Sequence, residues 1–296
     1  MPPISTFTPN PSFQPLAGVR ILSLALNLPG PAALMRCSQL GAHCVKLEPP
    51  AGDPMASYSR PAYDQLHKGI KTLVADLKSE AGQRVLQTES LAADVLLTSF
   101  RPSALRKLGI GWEALHRLYP ALSQVAIVGS PGDQAEKPGH DLTYLAESGL
   151  VPGLELPTTL YADMSGSLMA SEAVMQAVLT RKIRGEGVFI EVALSSASAY
   201  LALPRQWGLT QPSGPVGGSH AGYGIYPCQD GRVAVAALEP HFAAALCAAA
   251  GIAESDVRAM LAPATRRKIG DFFQAQTRAE LDTLAVTRDI PLHTMA

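Results

Sequence analysis

Apolar runs alternate with segments of helical spacing through the first part of the chain, and this alternation constrains the fold most strongly. Val19–Leu26 predicts a buried strand, Ala32–Leu40 a helix, and His43–Leu47 a second strand. Buried strands joined by helices pair in parallel, and helices cover both faces of their sheet. The sequence therefore predicts an α/β fold with a Rossmann-like open parallel sheet.

The same alternation continues to residue 207. Ser79 is a suitable N-cap for the next predicted helix, because its hydroxyl can accept a bond from a first-turn amide. Helices are predicted over Ser79–Leu91, Pro102–Leu108, Trp112–Leu118, Met164–Thr180 and Ser195–Trp207, and strands over Asp94–Ser99, Ser123–Val128 and Val188–Val192.

A second, smaller domain is predicted after a stretch rich in glycine and proline. Tyr223–Pro227 and Arg232–Ala237 flank Asp230-Gly231, a hairpin turn signal, and helices are expected from there to the end. The predicted organisation is a flexible arm over 1–14, a large domain over 15–207, a linker over 208–222 and a small α+β domain over 223–296.

Composition excludes several classes of protein. Lys and Arg total 24 against 25 Asp and Glu, so the chain lacks the basic surface that a nucleic-acid partner requires. Hydrophobic residues make up 47%, yet no run reaches the roughly eighteen apolar residues that span a membrane. The N-terminus does not resemble a signal peptide, and the four cysteines show no C-x-x-C spacing. We expect a cytoplasmic protein.

Motifs for common cofactors are missing from the sequence. Leu28-Pro29-Gly30-Pro31 has one glycine where the dinucleotide motif G-x-G-x-x-G has three. The chain contains no G-x-x-x-x-G-K-[ST] phosphate loop, no H-E-x-x-H and no paired C-x-x-C. We therefore expect neither a permanently bound cofactor nor a metal site.

Three residues could carry acid–base chemistry. His140 and Asp141 open a predicted helix, and histidine is the commonest general base near neutral pH. Asp163 precedes a long helix, where it is either an N-cap or a carboxylate held at a positive helix end. Glu239 lies between a strand and a helix, so it is either a cap or a residue facing His140 across a cleft. For His140 the alternative is a surface position.

Cations cluster after predicted strands. Lys78 follows two other lysines, Lys68 and Lys71, and Arg101 and Lys107 follow a predicted strand. Open parallel sheets bind ligands at the carboxyl ends of their strands, where cations can hold phosphates. The alternative is a solvated positive surface.

The segments together resemble the family III (CaiB/BaiF-type) CoA-transferases, a group that includes α-methylacyl-CoA racemase. The resemblance extends from residue 15 to about 290, and each of its motifs is weak alone. It is carried by Pro15-Leu16-Ala17-Gly18-Val19-Arg20, Pro29-Gly30-Pro31-Ala32-Ala33, Val45-Lys46-Leu47-Glu48, Asp76-Leu77-Lys78, Phe100-Arg101-Pro102-Ser103, Gly139-His140-Asp141-Leu142-Thr143-Tyr144 and Leu238-Glu239-Pro240-His241-Phe242.

This resemblance implies roles for the candidate residues. In the racemase branch, His140 and Asp163 would be the acid–base groups on either side of the substrate α-carbon, and Glu239 would orient His140. In the transferase branch, Asp163 would be a nucleophile that forms an acyl anhydride and then an aspartyl-CoA thioester. The implied coenzyme A contacts are Ala75, Leu77, Lys78, Arg101, Lys107, Gly139 and Tyr144.

Three functions remain open on these residues. The first is α-proton exchange or epimerisation of a 2-substituted acyl-CoA, with coenzyme A present only as part of the substrate. The second is CoA transfer to a carboxylic acid through Asp163. The third is a non-catalytic acyl-CoA-binding protein. The resemblance also implies a homodimer, with subunits intertwined as in the family.

Overall fold

A computed structural model describes residues 13–296, and residues 1–12 of the predicted arm lie outside the described part. The chain divides into two compact units, one ending at Ala202 and the other beginning at Leu203. The boundary lies a few residues before the predicted linker, 208–222, which is part of the second unit.

The first unit is built on six strands: β1 Arg20–Ser23, β2 His43–Glu48, β3 Lys71–Val74, β4 Val95–Thr98, β5 Ser123–Val128 and β6 Phe189–Ala193. Every neighbouring pair is parallel, in the order β3-β2-β1-β4-β5-β6. The predicted open parallel sheet is confirmed. Chain order reverses between β1 and β4, and such a reversal opens a crevice at the carboxyl edge of a sheet.

Helices cover both faces of this sheet. Val95 and Leu97 of β4 pack in one apolar layer and Leu96 packs in the other, as alternation along a strand requires. The helices are α1 Pro29–Gln39, α2 Met55–Tyr58, α3 Arg60–Leu66, α4 Glu80–Ala92, α5 Pro102–Lys107, α6 Trp112–Leu118, α7 Asp141–Glu147, α8 Tyr161–Arg184 and α9 Leu194–Leu201, with a 3₁₀ turn over Gly132–Glu136.

Two local predictions have clear outcomes. Ser79 caps α4, because its Oγ accepts the backbone N–H of Gly82 at 3.0 Å. The single helix predicted over Ser195–Trp207 is wrong: α9 ends at Leu201 and α10 covers Leu203–Gln206. Pro204 explains the break, because a proline lacks the N–H that would continue the hydrogen bonds of α9.

The second unit is a small α+β unit. Strands β7 Tyr223–Cys228, β8 Gly231–Ala236 and β9 Leu292–Met295 form an antiparallel sheet in that order. The prediction that helices run to the end of the chain is wrong, because β9 pairs with β8. The remaining helices are α11 Pro240–Ala249, α12 Val257–Met260, α13 Pro263–Gln274 and α14 Arg278–Arg288.

Among the helices of residues 13–296, none combines the length and the apolar composition that a bilayer crossing needs.

Candidate active site

Asp163 lies in the first turn of α8. The helix begins at Tyr161, earlier than predicted, and Leu160 is its N-cap residue without a capping side chain. The interpretation of Asp163 as an N-cap is therefore wrong, because it is the third helical residue. Its backbone N–H is one of the amides that a helix leaves unpaired at its start.

Asp141 supplies the acceptor that α8 lacks. The backbone N–H of Asp163 donates to Asp141 Oδ1 at 2.9 Å. Asp141 is the first residue of α7 and is buried. A carboxylate from one helix thus caps the next helix, and the two aspartates are held together at the same point.

This arrangement changes the acidity of Asp163. Burial raises the pKa of its carboxyl, the negative charge of Asp141 raises it further, and His140 lowers it, with a result of about 6. A carboxyl with a pKa of about 6 can both accept and donate a proton near neutral pH. The geometry therefore gives Asp163 the properties of a general acid or base.

His140 lies at the start of α7. Its backbone N–H donates to Thr143 Oγ1 at 3.0 Å, and the Thr143 hydroxyl donates to the His140 carbonyl at 2.7 Å. These two bonds fix the main chain of His140, and the residue is exposed. It is near enough for its charge to act on Asp163. The structure thus brings together His140 and Asp163, two of the three predicted catalytic residues.

Tyr144 explains two glycines near the site, Gly129 and the predicted coenzyme A contact Gly139. A Cβ on Gly129 would lie 2.3 Å from the Tyr144 hydroxyl oxygen, and a Cβ on Gly139 would lie 2.5 Å from it. Both positions therefore need glycine for the main chain to pass the ring. Burial raises the pKa of Tyr144, the charge of Asp163 raises it further, and Arg101 lowers it. Arg101 thus lies close enough to act on Tyr144.

The predicted coenzyme A contacts are distributed along the carboxyl edge of the sheet. Ala75, Leu77 and Lys78 follow β3, at the outer side of the sheet, and Lys78 is exposed. Arg101 is exposed directly after β4, next to the crevice. Lys107 is the last residue of α5 and so lies a helix length away from the end of β4. These contacts remain predictions.

Glu239 belongs to the second unit. It is exposed and occupies the N-cap position of α11, without a side-chain capping bond. His140 and Asp163 belong to the first unit. The interaction of Glu239 with His140 therefore remains a prediction from the sequence.

The lining of a cavity of about 430 Å³ includes none of His140, Asp163 and Glu239, although Phe100 and Pro102 of the lining flank Arg101. The cavity is also lined by Gln124 and Ala126 of β5 and by Trp112 and Phe189. Val125, the β5 residue between Gln124 and Ala126, packs in the opposite layer with α8. The cavity is therefore on the sheet face opposite to α8 and its Asp163.

The sequence analysis missed a buried ionic cluster beside β2. Lys46, Glu48, Asp53 and His67 are all buried. One donor atom from each of the last three lies within 4.8 Å of the others, a set that could ligate a divalent cation. The ammonium of Lys46 already contacts all three. One sequence feature could have indicated this cluster: Lys46 lies between two apolar residues, Val45 and Leu47, of a predicted buried strand.

Comparison with known proteins identifies relatives over almost the whole chain. A family model described as CoA-transferase family III matches residues 16–296. Mouse α-methylacyl-CoA racemase is 31% identical over 289 residues, which cover 90% of this chain and 73% of that protein. The human racemase is 29% identical over 287 residues, with the same coverage. Mouse succinyl-CoA:glutarate CoA-transferase is 28% identical over 265 residues, covering 80% of this chain and 59% of the relative.

Solved structures show the same fold. A hypothetical protein from Mycobacterium tuberculosis superposes with a TM-score of 0.81 at 23% identity, covering 96% of this chain and 86% of that one. A CaiB/BaiF family protein from Brucella suis gives 0.78 at 23% identity, covering 96% and 84%. At this level of identity the likeness establishes the fold alone.

Replacing Asp163 by asparagine is expected to stabilise the protein at pH 7. The folded-state pKa of about 6 exceeds the usual value of 3.8, so stability is lost as pH rises through that interval. Asp163→Asn removes this loss and should raise the free energy of unfolding by about 1–2 kcal/mol at pH 7, less than the full shift because the carboxyl is partly solvated.

Urea denaturation at pH 7 and pH 4 measures this effect. The gain should vanish at pH 4, where Asp163 is protonated in the folded chain. Asp271→Asn, at an exposed position of α13, is the matched control and should show no such pH dependence. An Asp163→Asn variant that is no more stable than the unmodified chain at pH 7 would contradict the account.

Proposed function

This chain belongs to CoA-transferase family III, a family of enzymes whose named relatives act on CoA thioesters, and we propose that it exchanges or inverts the α-hydrogen of a 2-substituted acyl-CoA. The observation that carries the proposal is the Asp163 carboxyl, with its pKa of about 6 and His140 beside it. A carboxyl whose pKa lies near neutral pH, with a histidine close enough for its charge to act on that carboxyl, suits proton transfer in both directions.

The proposed reaction moves one proton off the α-carbon and returns one. A base on one face of the thioester takes the α-proton, and the electron pair of the C–H bond passes into the carbonyl to form a planar enolate. An acid on the other face protonates the same carbon, which inverts the centre. His140 and Asp163 exchange the roles of base and acid for the two enantiomers. Glu239 is proposed, from the resemblance alone, to orient His140.

Coenzyme A enters this proposal as part of the substrate and not as a resident cofactor. Lys78 and Arg101 would hold its phosphates, because cations at the carboxyl edge of the sheet are suited to charge-assisted hydrogen bonds. Lys107, at the far end of α5, is proposed as a further phosphate contact from the resemblance alone. Ala75 and Leu77 would line the adjacent surface. Gly139 and Tyr144 would shape the route to Asp163.

CoA transfer is the second candidate, favoured by relatives such as the mouse succinyl-CoA:glutarate CoA-transferase. Above pH 6 the Asp163 carboxylate is largely ionised and can attack the acyl carbonyl, which expels CoA thiolate and forms an anhydride. The thiolate then attacks the Asp163 carbonyl, releasing the acid and leaving an aspartyl-CoA thioester. This route requires Asp163 and not His140, so the two functions can be separated by experiment.

Isotope exchange separates the candidates. We expect the protein to introduce deuterium at the α-carbon of racemic 2-methylacyl-CoA in heavy water, followed by mass spectrometry. Asp163→Asn and His140→Ala should each slow the inversion of a single enantiomer about 100-fold or more, the usual contribution of general acid–base catalysis. Asp271→Asn and His43→Ala, both at exposed positions, are the matched controls.

Other results of this experiment would contradict the acid–base pair or favour another function. Inversion of a single enantiomer that survives in either catalytic variant contradicts the acid–base pair. An aspartyl-CoA adduct at Asp163 without uptake indicates the transferase. Coenzyme A binding with neither signal indicates a non-catalytic binding protein.

The exchange rate should rise with pH through a midpoint near 6, as Asp163 ionises. Asp141→Asn removes the negative charge that raises the pKa of Asp163 but leaves an oxygen to accept its N–H. The midpoint should therefore move down by about one pH unit. A pH–rate profile of both proteins measures this, and a midpoint unchanged in Asp141→Asn would show that Asp141 does not set the acidity.

The proposed assembly is a homodimer. Leu160, Met164 and Leu168 are exposed along one face of α8, and Leu154 and Leu156 are exposed just before it. A second copy would bury this apolar surface. Sedimentation equilibrium should give twice the chain mass, and Leu156→Glu should favour the monomer, whereas Ile183→Glu, exposed at the other end of α8, should not. A monomeric unmodified chain would contradict the assembly.

A further inference from the structure

Lys46 of β2 is completely buried in the first unit. Its ammonium lies 3.0 Å from Glu48 Oε1 and 2.7 Å from His67 Nε2, and it also bonds Asp53 Oδ2. A lysine ammonium has three protons, and each of them meets one of these acceptors. A buried charge is tolerated only when its hydrogen bonds are complete, so the three acceptors account for a lysine at this position.

The protonation of His67 follows from its partners. His67 Nδ1 lies 2.7 Å from the Tyr63 carbonyl oxygen, which can only accept, so Nδ1 carries the hydrogen. Nε2 is then free to accept from Lys46. Burial lowers the pKa of His67, as does the nearby Lys46, in agreement with a neutral ring. The cluster therefore holds one cation, the Lys46 ammonium, against two carboxylates.

Asp53 connects this cluster to the loop that follows β1. Its Oδ1 accepts the backbone N–H of Asn27 at 3.0 Å and that of Met55 at 2.9 Å. Asn27 has a φ of 66°, in the left-handed region that residues other than glycine seldom adopt. The bond from Asp53 helps hold Asn27 in this conformation, because a strained residue persists only where its surroundings determine it.

The loop held by Asp53 lies at the crevice of the sheet. Asn27 lies between β1 and α1, and the neighbouring Leu26 donates its N–H to Ser99 Oγ, just after β4, at 3.0 Å. Segments after β1, β2 and β4 are therefore tied together where the strand order reverses. Ligands of open α/β sheets bind at this point.

We infer that Lys46 and Asp53 are positioning residues for acyl-CoA binding, which they support by holding the Asn27 loop in place without touching the substrate. The inference rests on the proposed function, because it takes acyl-CoA as the ligand of the crevice. A loop that is ordered before binding costs no ordering entropy when the ligand arrives. Loss of the Asp53 bonds should therefore weaken binding of the ligand and leave the chemistry at Asp163 intact.

Asp53→Ala and Tyr63→Phe form a matched pair. Asp53→Ala removes the bonds to Asn27 and Met55. Tyr63→Phe removes a hydroxyl that donates to Glu48 Oε1 at 3.0 Å in the same cluster, and it leaves the Asp53 bonds in place. Asp53→Ala also takes one acceptor from the Lys46 ammonium. A structural role would therefore speed hydrogen exchange throughout the first unit, whereas the positioning role speeds it at residues 24–28 and weakens coenzyme A binding.

Two measurements test the positioning role. Titration calorimetry with coenzyme A should show about tenfold or weaker binding for Asp53→Ala, and binding within about twofold of the unmodified chain for Tyr63→Phe. Hydrogen exchange of peptides spanning 24–28 should be faster in Asp53→Ala only. In α-hydrogen exchange, Asp53→Ala should raise KM and change kcat by no more than about twofold. If Asp53→Ala does not fold, Asp53→Asn should show the same changes to a smaller extent.

Other outcomes overturn the inference, and they differ from failure of the proposed function. Equal losses in Asp53→Ala and Tyr63→Phe would assign the cluster to general stability. Unchanged loop exchange in a folded Asp53→Ala would show that the bond does not hold the loop. If the unmodified chain does not bind coenzyme A, the proposed substrate itself is wrong, and the positioning role falls with it.

Discussion

Parallel strands can pair only if every connection returns the chain to the same edge of the sheet, and the first unit depends on this constraint. Each crossover leaves from the carboxyl edge, so the loops carrying Asn27, Asp53, Arg101 and His140 all follow carboxyl ends of strands. Helix α8 precedes β6 and therefore begins at that edge, with Asp163 in its first turn. Residues far apart in sequence are thus placed at one edge of the sheet by the topology, although no local sequence pattern indicates that they lie there.

The bond between Asp141 and the Asp163 amide affects both the stability of α8 and the acidity of Asp163. It satisfies an amide that the start of α8 leaves unpaired, which stabilises the helix. It also places a second negative charge beside the Asp163 carboxyl. The helix dipole and His140 favour an ionised Asp163, yet burial and Asp141 outweigh them, since the net pKa is raised. One interaction therefore both builds the helix start and makes its carboxyl reactive.

Features that depend on neighbouring residues could be predicted from the sequence. The Ser79 cap and the strand Ser123–Val128 could be read directly, because neighbouring residues decide them. Strand β9 could not, because four residues show too little alternation and its pairing with β8 is distant in sequence. For Asp163 the sequence leaves two interpretations open, an N-cap or a carboxylate at a helix start, and it gives no sign that Asp141 of another helix accepts the Asp163 N–H. The roles of Lys46 and Asp53 depend on contacts that no spacing reveals.

The Lys46 cluster is fully buried, whereas Asp163 is partly exposed, and the two differ in how their charges are balanced. The Lys46 ammonium has an acceptor for each of its protons. The cluster is therefore suited to holding a loop in a fixed position. Asp163 is desolvated beside a like charge, so either protonation state is within reach near neutral pH. The first arrangement is suited to holding a loop in place, and the second to a carboxyl that changes its protonation state.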